Sequence, residues 1–228
     1  MMPVTLGIPP GSEKTEKAAL YTITLNGYEI KAGKETWLDP DFNCIDIANF
    51  LKAGKNEVKL SLNRFDNRCE PSPVYLLGHF SLKSAEKGWT MVPAKDIGTG
   101  SWKDQGLPFY GESVRYTKTI RVEKPGDYEL QLPKWNGTVA EVFVNKESRG
   151  VIHYQPYTKN IQLQAGKNEV SVVVYGSLKN VFGPHHVYAR GFMRPPAFRF
   201  GKEIMPAGIK YDVLDYGLFE DFNMYRLN

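Results

Sequence analysis

Apolar and polar residues alternate over short runs along most of this chain. Tyr21-Thr22-Ile23-Thr24-Leu25 alternates and stops at Asn26-Gly27. That pattern predicts a strand closed by a type I′ hairpin turn, with Glu29-Ile30-Lys31 as the return. Residues Asp46 to Leu51 read as a short helical turn ending at Gly54, and Val58-Lys59-Leu60-Ser61-Leu62 as a half-buried strand. After Pro71 and Pro73, the run Val74 to Leu82 predicts a closing strand, with a boundary over Lys83 to Trp89. Beyond it the alternation strengthens in Ser113–Val122, Tyr128–Leu132, Val139–Asn145, Asn160–Leu163 and Val170–Tyr175. Short strands separated by turn residues predict an antiparallel sandwich or jelly roll. No stretch between them is long and periodic enough for a crossover helix, which argues against a parallel α/β sheet. The tail from Pro195 is aromatic and irregular, and Tyr211 to Leu218 is expected to add a last strand or pack along a sheet.

One phrase is written twice. Ala-Gly-Lys-Asn-Glu-Val starts at Ala53 and again at Ala165, 112 residues later, and each copy leads into an alternating strand. Upstream of each copy lies a hairpin phrase, Thr24-Leu25-Asn26-Gly27 and Phe143-Val144-Asn145-Lys146, with the asparagines 119 residues apart. Self-similarity at a nearly fixed offset predicts two related structural units. Little chain precedes Asn26, so the first unit is expected to be the back part of a domain and the chain a piece of something longer. The predicted organisation is an incomplete sandwich unit at 15–84 followed by a complete jelly roll at 85–228. Asn145-Lys146 replaces Asn-Gly in the second hairpin, where a longer or bulged turn is expected.

Composition adds limits. The chain has 228 residues, 42% hydrophobic and 13% aromatic, enough for packed cores, and its net charge of +4 comes without a long basic run. A nucleic-acid stripe is therefore not expected, nor is a membrane span, since no apolar run approaches the needed length. The N-terminus lacks the basic and apolar regions of a secretory signal. Cys44 and Cys69 have no metal-ligand spacing, and whether they are free or disulfide-bonded stays open.

Candidate chemistry is sparse. His185-His186 is the most conspicuous pair. Adjacent residues of a strand face opposite ways, so a shared metal would need a turn, and no Cys, Asp or Glu beside them completes a ligand set. The plainer reading is a ring that packs or hydrogen-bonds to fix the loop. Glycoside hydrolysis needs two carboxylates, one with a raised pKa. Asp39, Asp41, Asp215, Glu220 and Asp221 are available, but Asp39-Pro40-Asp41 reads as turn chemistry and Glu220-Asp221 as a solvated run. Asp215, flanked by tyrosines, is the one expected to be buried and paired. There is no nucleophile elbow, phosphate loop or dinucleotide fingerprint. The aromatic set Trp102, Phe109, Tyr110, Trp135, His153, Tyr154 and Tyr157 could supply sugar-stacking platforms, although core or interface packing is the commoner use of such rings. Trp102, Tyr110, His153 and Tyr157 lie in loop-like sequence and are expected to be exposed.

The second unit runs from Trp102-Lys103-Asp104-Gln105-Gly106-Leu107-Pro108-Phe109-Tyr110-Gly111 through Ala140-Glu141-Val142-Phe143-Val144-Asn145 to Gly166-Lys167-Asn168-Glu169-Val170. That succession resembles the galactose-binding-like jelly rolls, the sugar-binding domains of family 2-type glycoside hydrolases. Gly176 to His186 and Leu214-Asp215-Tyr216-Gly217-Leu218 are similar to the C-terminal region of large bacterial α-L-rhamnosidase-like enzymes. The resemblance implies an all-β tandem sandwich, non-catalytic in this chain, that supports a separate catalytic domain and contacts carbohydrate. Trp102, Tyr110, His153, Tyr157, Asn180 and His185 are the candidate contacts to such a glycan or plant polysaccharide. No catalytic residue or cofactor is assigned, and a structural calcium ion is left open. The implied partners are carbohydrate and the catalytic domain of a periplasmic or extracellular parent, with a second copy of the chain as the alternative. Two rival readings stand beside this one: an autonomous carbohydrate-binding module, and a hydrolase active on its own.

Overall fold

The computed structural model describes residues 5–8, 22–31, 33–62, 74–183, 185 and 206–227. Cys69, His186 and the side chains of Asp39 and Asp41 lie outside the described residues. The fold is all-β and antiparallel, and it divides into two units between His79 and Phe80.

The first unit contains β1 (Thr5–Ile8), β2 (Thr22–Leu25), β3 (Tyr28–Ile30), β4 (Thr36–Trp37), β5 (Asp39–Asp46), β6 (Val58–Ser61) and β7 (Tyr75–Leu77). They form two sheets, ordered β4-β5-β1-β7 and β3-β2-β6. Alternation puts Ile23 and Leu25 of β2 inward, where they meet Ile30, Ile45 and Ile47 in a small core. Trp37, Phe42 and Tyr75 stack edge to edge beside it, with ring centres 5.3–6.4 Å apart.

The second unit opens with a hairpin of β8 (Phe80–Ser84) and β9 (Trp89–Pro93). The sequence reading gave Phe80–Ser84 to the first unit and made Lys83–Trp89 a boundary. Instead β8 runs along β9, and the turn between them is fastened by Ala85 N–H to the Gly88 carbonyl and Gly88 N–H to the Pro206 carbonyl. The remaining strands are β10 (Ser113–Val122), β11 (Gly126–Gln131), β12 (Trp135–Asn136), β13 (Val139–Val144), β14 (Glu147–Ile152), β15 (Thr158–Leu163), β16 (Gly166–Tyr175), β17 (Gly217–Leu218) and β18 (Asn223–Arg226). A sheet β10-β16-β13-β14 and a sheet β15-β11-β18 share one core, and β12 pairs with β17 at its side. Val142, Val144, Val170, Val172 and Val174 of the first sheet meet Leu130, Ile161 and Leu163 of the second, all essentially without exposure.

The repeated phrase is a clip, and its atoms recur in both units. Asn26 N–H donates to the Glu57 carbonyl, Glu57 N–H donates back to Asn26 Oδ1, and Asn26 Nδ2 reaches Asn56 Oδ1. Asn145, Glu169 and Asn168 repeat the three bonds. Asn56 and Asn168 each also close their own loop by accepting from and donating to the backbone four residues earlier, at Lys52 and Gln164. The clip ties each hairpin to the strand that follows it in the sheet. Of the two alternatives expected for the second hairpin, a longer turn or a bulge, the turn is not longer than the first. Asn26 and Gly27 have φ of 53° and 89°, Asn145 and Lys146 of 51° and 72°, so both are two-residue turns with left-handed central residues. The irregularity lies further on, where the β13–β14 register slips between Val142 and Phe143.

Candidate functional site

Three of the five phrases that carry the family resemblance, those around Trp102, Ser177 and Tyr216, converge on one clasp in the second unit. The loop after β9 turns inward and buries Trp102, which is 1% exposed, against Tyr110 and Tyr216. Its indole N–H donates to Tyr116 Oη at 2.7 Å, and its amide donates to the Tyr216 carbonyl at 2.8 Å. Gly100 N–H donates to the Leu218 carbonyl at 2.7 Å. Gly217, between those two tail residues, has φ of 145°, and a Cβ there would collide with the Gly100 carbonyl, so only glycine lets the tail lie this close. Tyr216 Oη meets Ser177 Oγ at 2.6 Å, which brings in the third phrase.

Asp215 finishes the clasp on its solvent side. One carboxylate oxygen accepts from Ser101 Oγ at 2.7 Å and from Lys103 Nζ at 3.0 Å. Burial pushes its pKa up, but the Ser101 and Lys103 hydrogen bonds and the lysine charge outweigh burial and hold it below the ordinary carboxylate value. This is the reverse of what a general acid in glycoside hydrolysis needs. Asp212 and Asp221 form ion pairs with Lys179 at 3.2 Å and Lys118 at 2.8 Å.

The sequence-nominated contacts separate into three places. Trp102 is not an exposed platform: its loop is Gly/Pro-rich because it folds back tightly, and the ring fills the core. Tyr110 packs on that ring and donates its hydroxyl hydrogen to the Ser113 carbonyl, with burial and the nearby Glu112 charge raising its pKa. Asn180 is not at the surface either. It is buried, and its amide makes a two-way bond with the Leu214 backbone, Nδ2 to the carbonyl at 2.9 Å and Oδ1 from the N–H at 2.8 Å. His185 lies in a second cluster, its ring 4.9 Å from Phe109, which in turn packs on Trp89 and Tyr211. Its Nε2 is 2.9 Å from the Asn180 carbonyl, so that nitrogen carries the hydrogen. Among the described residues, no three His, Cys, Asp or Glu side chains converge as a metal site.

The His153–Tyr157 loop, which joins β14 to β15, puts aromatic surface in solvent. His153 is exposed, Tyr154 is 68% exposed, and their rings meet edge to face at 4.5 Å. Tyr157 is half-buried on Trp135, 5.4 Å between ring centres. The Trp135 indole N–H is buried and has no partner among the described residues. A second concavity, about 880 Å³, opens beside the β8–β9 hairpin, lined by Lys83, Trp89, Lys95 and Lys103 among others. Sequence reasoning missed it, because it gathers Lys83 and Trp89 of the stretch read as a boundary with Lys95, Lys103 and the distant Ile209. Several of its polar atoms are already engaged: Ser81 Oγ accepts from Lys95 N–H, Ser84 Oγ from Ile209 N–H, and Gln105 Oε1 from Gly98 N–H.

No family model and no curated protein matches this sequence. Among solved structures, the chain is similar to a rhamnosidase from Novosphingobium sp. PP1Y, at 14% identity and a TM-score of 0.38. The match covers 90% of this chain and 20% of the rhamnosidase, so the chain spans about a fifth of that protein's length. A likeness this low transfers no activity.

Proposed function

We propose that this chain is a non-catalytic β-sandwich region of an α-L-rhamnosidase-like glycoside hydrolase, a scaffold that supports a catalytic domain. The observation that carries the reading is the clasp. The residues best suited by type to grip a sugar or cleave one, Trp102, Asn180 and Asp215, are spent on holding the loop before β10 and the segment after β16 to the tail around β17. Asp215 is held ionised by Ser101 and Lys103. The resemblance of the three converging phrases supplies the enzyme class.

The test is an aryl α-L-rhamnoside assay of the purified chain, expected to show no turnover. Turnover removed by Asp215→Asn would overturn the reading. A second reading, a carbohydrate-binding module, draws on Tyr154 and His153 at the rim of the Tyr157–Trp135 pair. Calorimetry with rhamnose, galactose, glucuronate and plant-polysaccharide oligomers distinguishes the two. Binding that disappears in a His153→Ala, Tyr154→Ala variant favours the module, and silence toward every sugar favours the scaffold.

A further inference from the structure

Among the described residues, the hairpin-bearing sheets of the two units run in the same order, and that of the second unit carries one strand more. In the second unit the β13–β14 hairpin is followed in its sheet by β16, and β16 is followed by β10. In the first unit the β2–β3 hairpin is followed by β6, and there the described sheet ends. The opposing sheets also correspond, with β15-β11-β18 matched by β5-β1-β7. Registers confirm the equivalence of β6 and β16: Leu25 faces Val58 and Ile23 faces Leu60, as Val144 faces Val170 and Val142 faces Val172.

Among the described residues β6 has no second neighbour, and its side chains are more exposed than those of β16. Val170, Val172 and Val174 of β16 are 0% exposed, whereas the residues 112 earlier, Val58, Leu60 and Leu62, are 36%, 36% and 42% exposed. An open edge with an apolar row beside it is a template for strand addition. We infer that the edge of β6 opposite β2, unpaired among the described residues, takes an extended polypeptide strand from a partner, antiparallel and in the register that β10 adopts on β16.

That register specifies the partner's chemistry. Tyr116 faces Val172 and Val114 faces Val174, so the added strand carries apolar residues opposite Leu60 and Leu62. On the other face, Thr119 is opposite Glu169 and Thr117 opposite Ser171. Their first-unit equivalents are Glu57 and Lys59, so the strand that fits places a cation against Glu57 and a carboxylate against Lys59. A second copy of β6 does not satisfy both demands. Centred on Leu60 it matches the apolar row but sets Lys59 against Ser61. Centred on Val58 it pairs Glu57 with Lys59 but sets Leu60 against Asn56.

The experiment uses the full chain and a synthetic peptide of the Ser113–Val122 sequence carrying Thr117→Glu and Thr119→Lys. The expected result is saturable binding, measured by fluorescence anisotropy, with slowed amide exchange confined to Val58–Leu62. A peptide with the charges reversed, Thr117→Lys and Thr119→Glu, is expected to bind about tenfold more weakly, because two favourable cross-strand pairs become repulsive. No binding, equal binding of the two peptides, or protection elsewhere in the chain overturns the proposal. So does a peptide-free dimer in sedimentation in which Val58–Leu62 is already protected, since the edge would then belong to a second copy.

Discussion

A buried indole with one hydrogen-bond acceptor makes a sharp test of what Trp102 does. Tyr116 Oη accepts from the Trp102 indole at 2.7 Å and from Leu218 N–H at 3.3 Å. Tyr116→Phe keeps the ring but strands both donors, at a cost of about 1–3 kcal/mol. The urea midpoint should fall accordingly with an unchanged slope. A variant as stable as the parent would mean that water reaches the indole and that the clasp is looser than its geometry. Asp215 makes the complementary test, through pH. Its folded-state pKa lies below the ordinary value, so its contribution is fully present above that value and is lost as pH falls through the lower, folded one. Asp215→Asn should therefore lower stability at neutral pH and flatten the acid limb of the stability profile. Half of the Asp215 side chain is in solvent, and salt should shrink the difference. The residue types at this site were readable in the sequence, but their use was not. A tryptophan in a Gly/Pro-rich loop looks exposed until the 114-residue separation between Ser101 and Asp215 is closed, and composition carries nothing about long-range closure.

At the level of elements, the clip explains why alternation and turn residues were such good guides. The strands β2, β6, β10, β11, β13, β15 and β16 lie where period-two patterning put them; buried and more exposed positions alternate in β2, β13 and β15, while β6 keeps its apolar row partly in solvent and β16 is buried on both faces from Val170 to Val174. The β8–β9 hairpin was missed since its pairing depends on Gly88 and Gly208 lying against each other across distant sequence, which no local pattern reports. The two clips also sit in different surroundings, which separates hydrogen-bond number from hydrogen-bond value. Asn168 is fully buried, whereas Asn56 keeps part of its surface in water. Asn168→Ala should cost about 2–3 kcal/mol, because Gln164 N–H and Asn145 Nδ2 lose their acceptor away from solvent. Asn56→Ala should cost clearly less, with water taking the vacated bonds. Equal losses in thermal or urea unfolding would refute the solvent argument. The turn itself offers a gain. Lys146 holds φ of 72°, where Gly27 stands in the first unit, and Lys146→Gly should stabilise by about 0.5–1 kcal/mol.

For the whole molecule, the two units share a plan but not a core. Among the described residues, the buried cluster of the second unit holds sixteen side chains and that of the first holds five. Since burial of apolar surface is the main favourable term in folding, the first unit should open at much lower free energy than the second. The repeat gives an internally controlled measurement, because equivalent positions can be compared within one sample. Amides of Ile23 and Leu25 in β2 should exchange faster than those of Val142 and Val144 in β13, although all four side chains are buried and both strands pair with their neighbours, β6 and β16, in matched register. The gap should be wider still between β6 and β16, because β16 has a strand on each side and β6 has β2 alone among the described residues. Mild urea should then abolish protection in β2 and β6 while leaving β13 and β16 intact. Equal protection at matched positions would show that the first unit draws its stability from beyond its own five-residue core. A scaffold whose weaker half needs an added strand would be stabilised by the partner that supplies one, so scaffold stability and partner binding would be linked quantities.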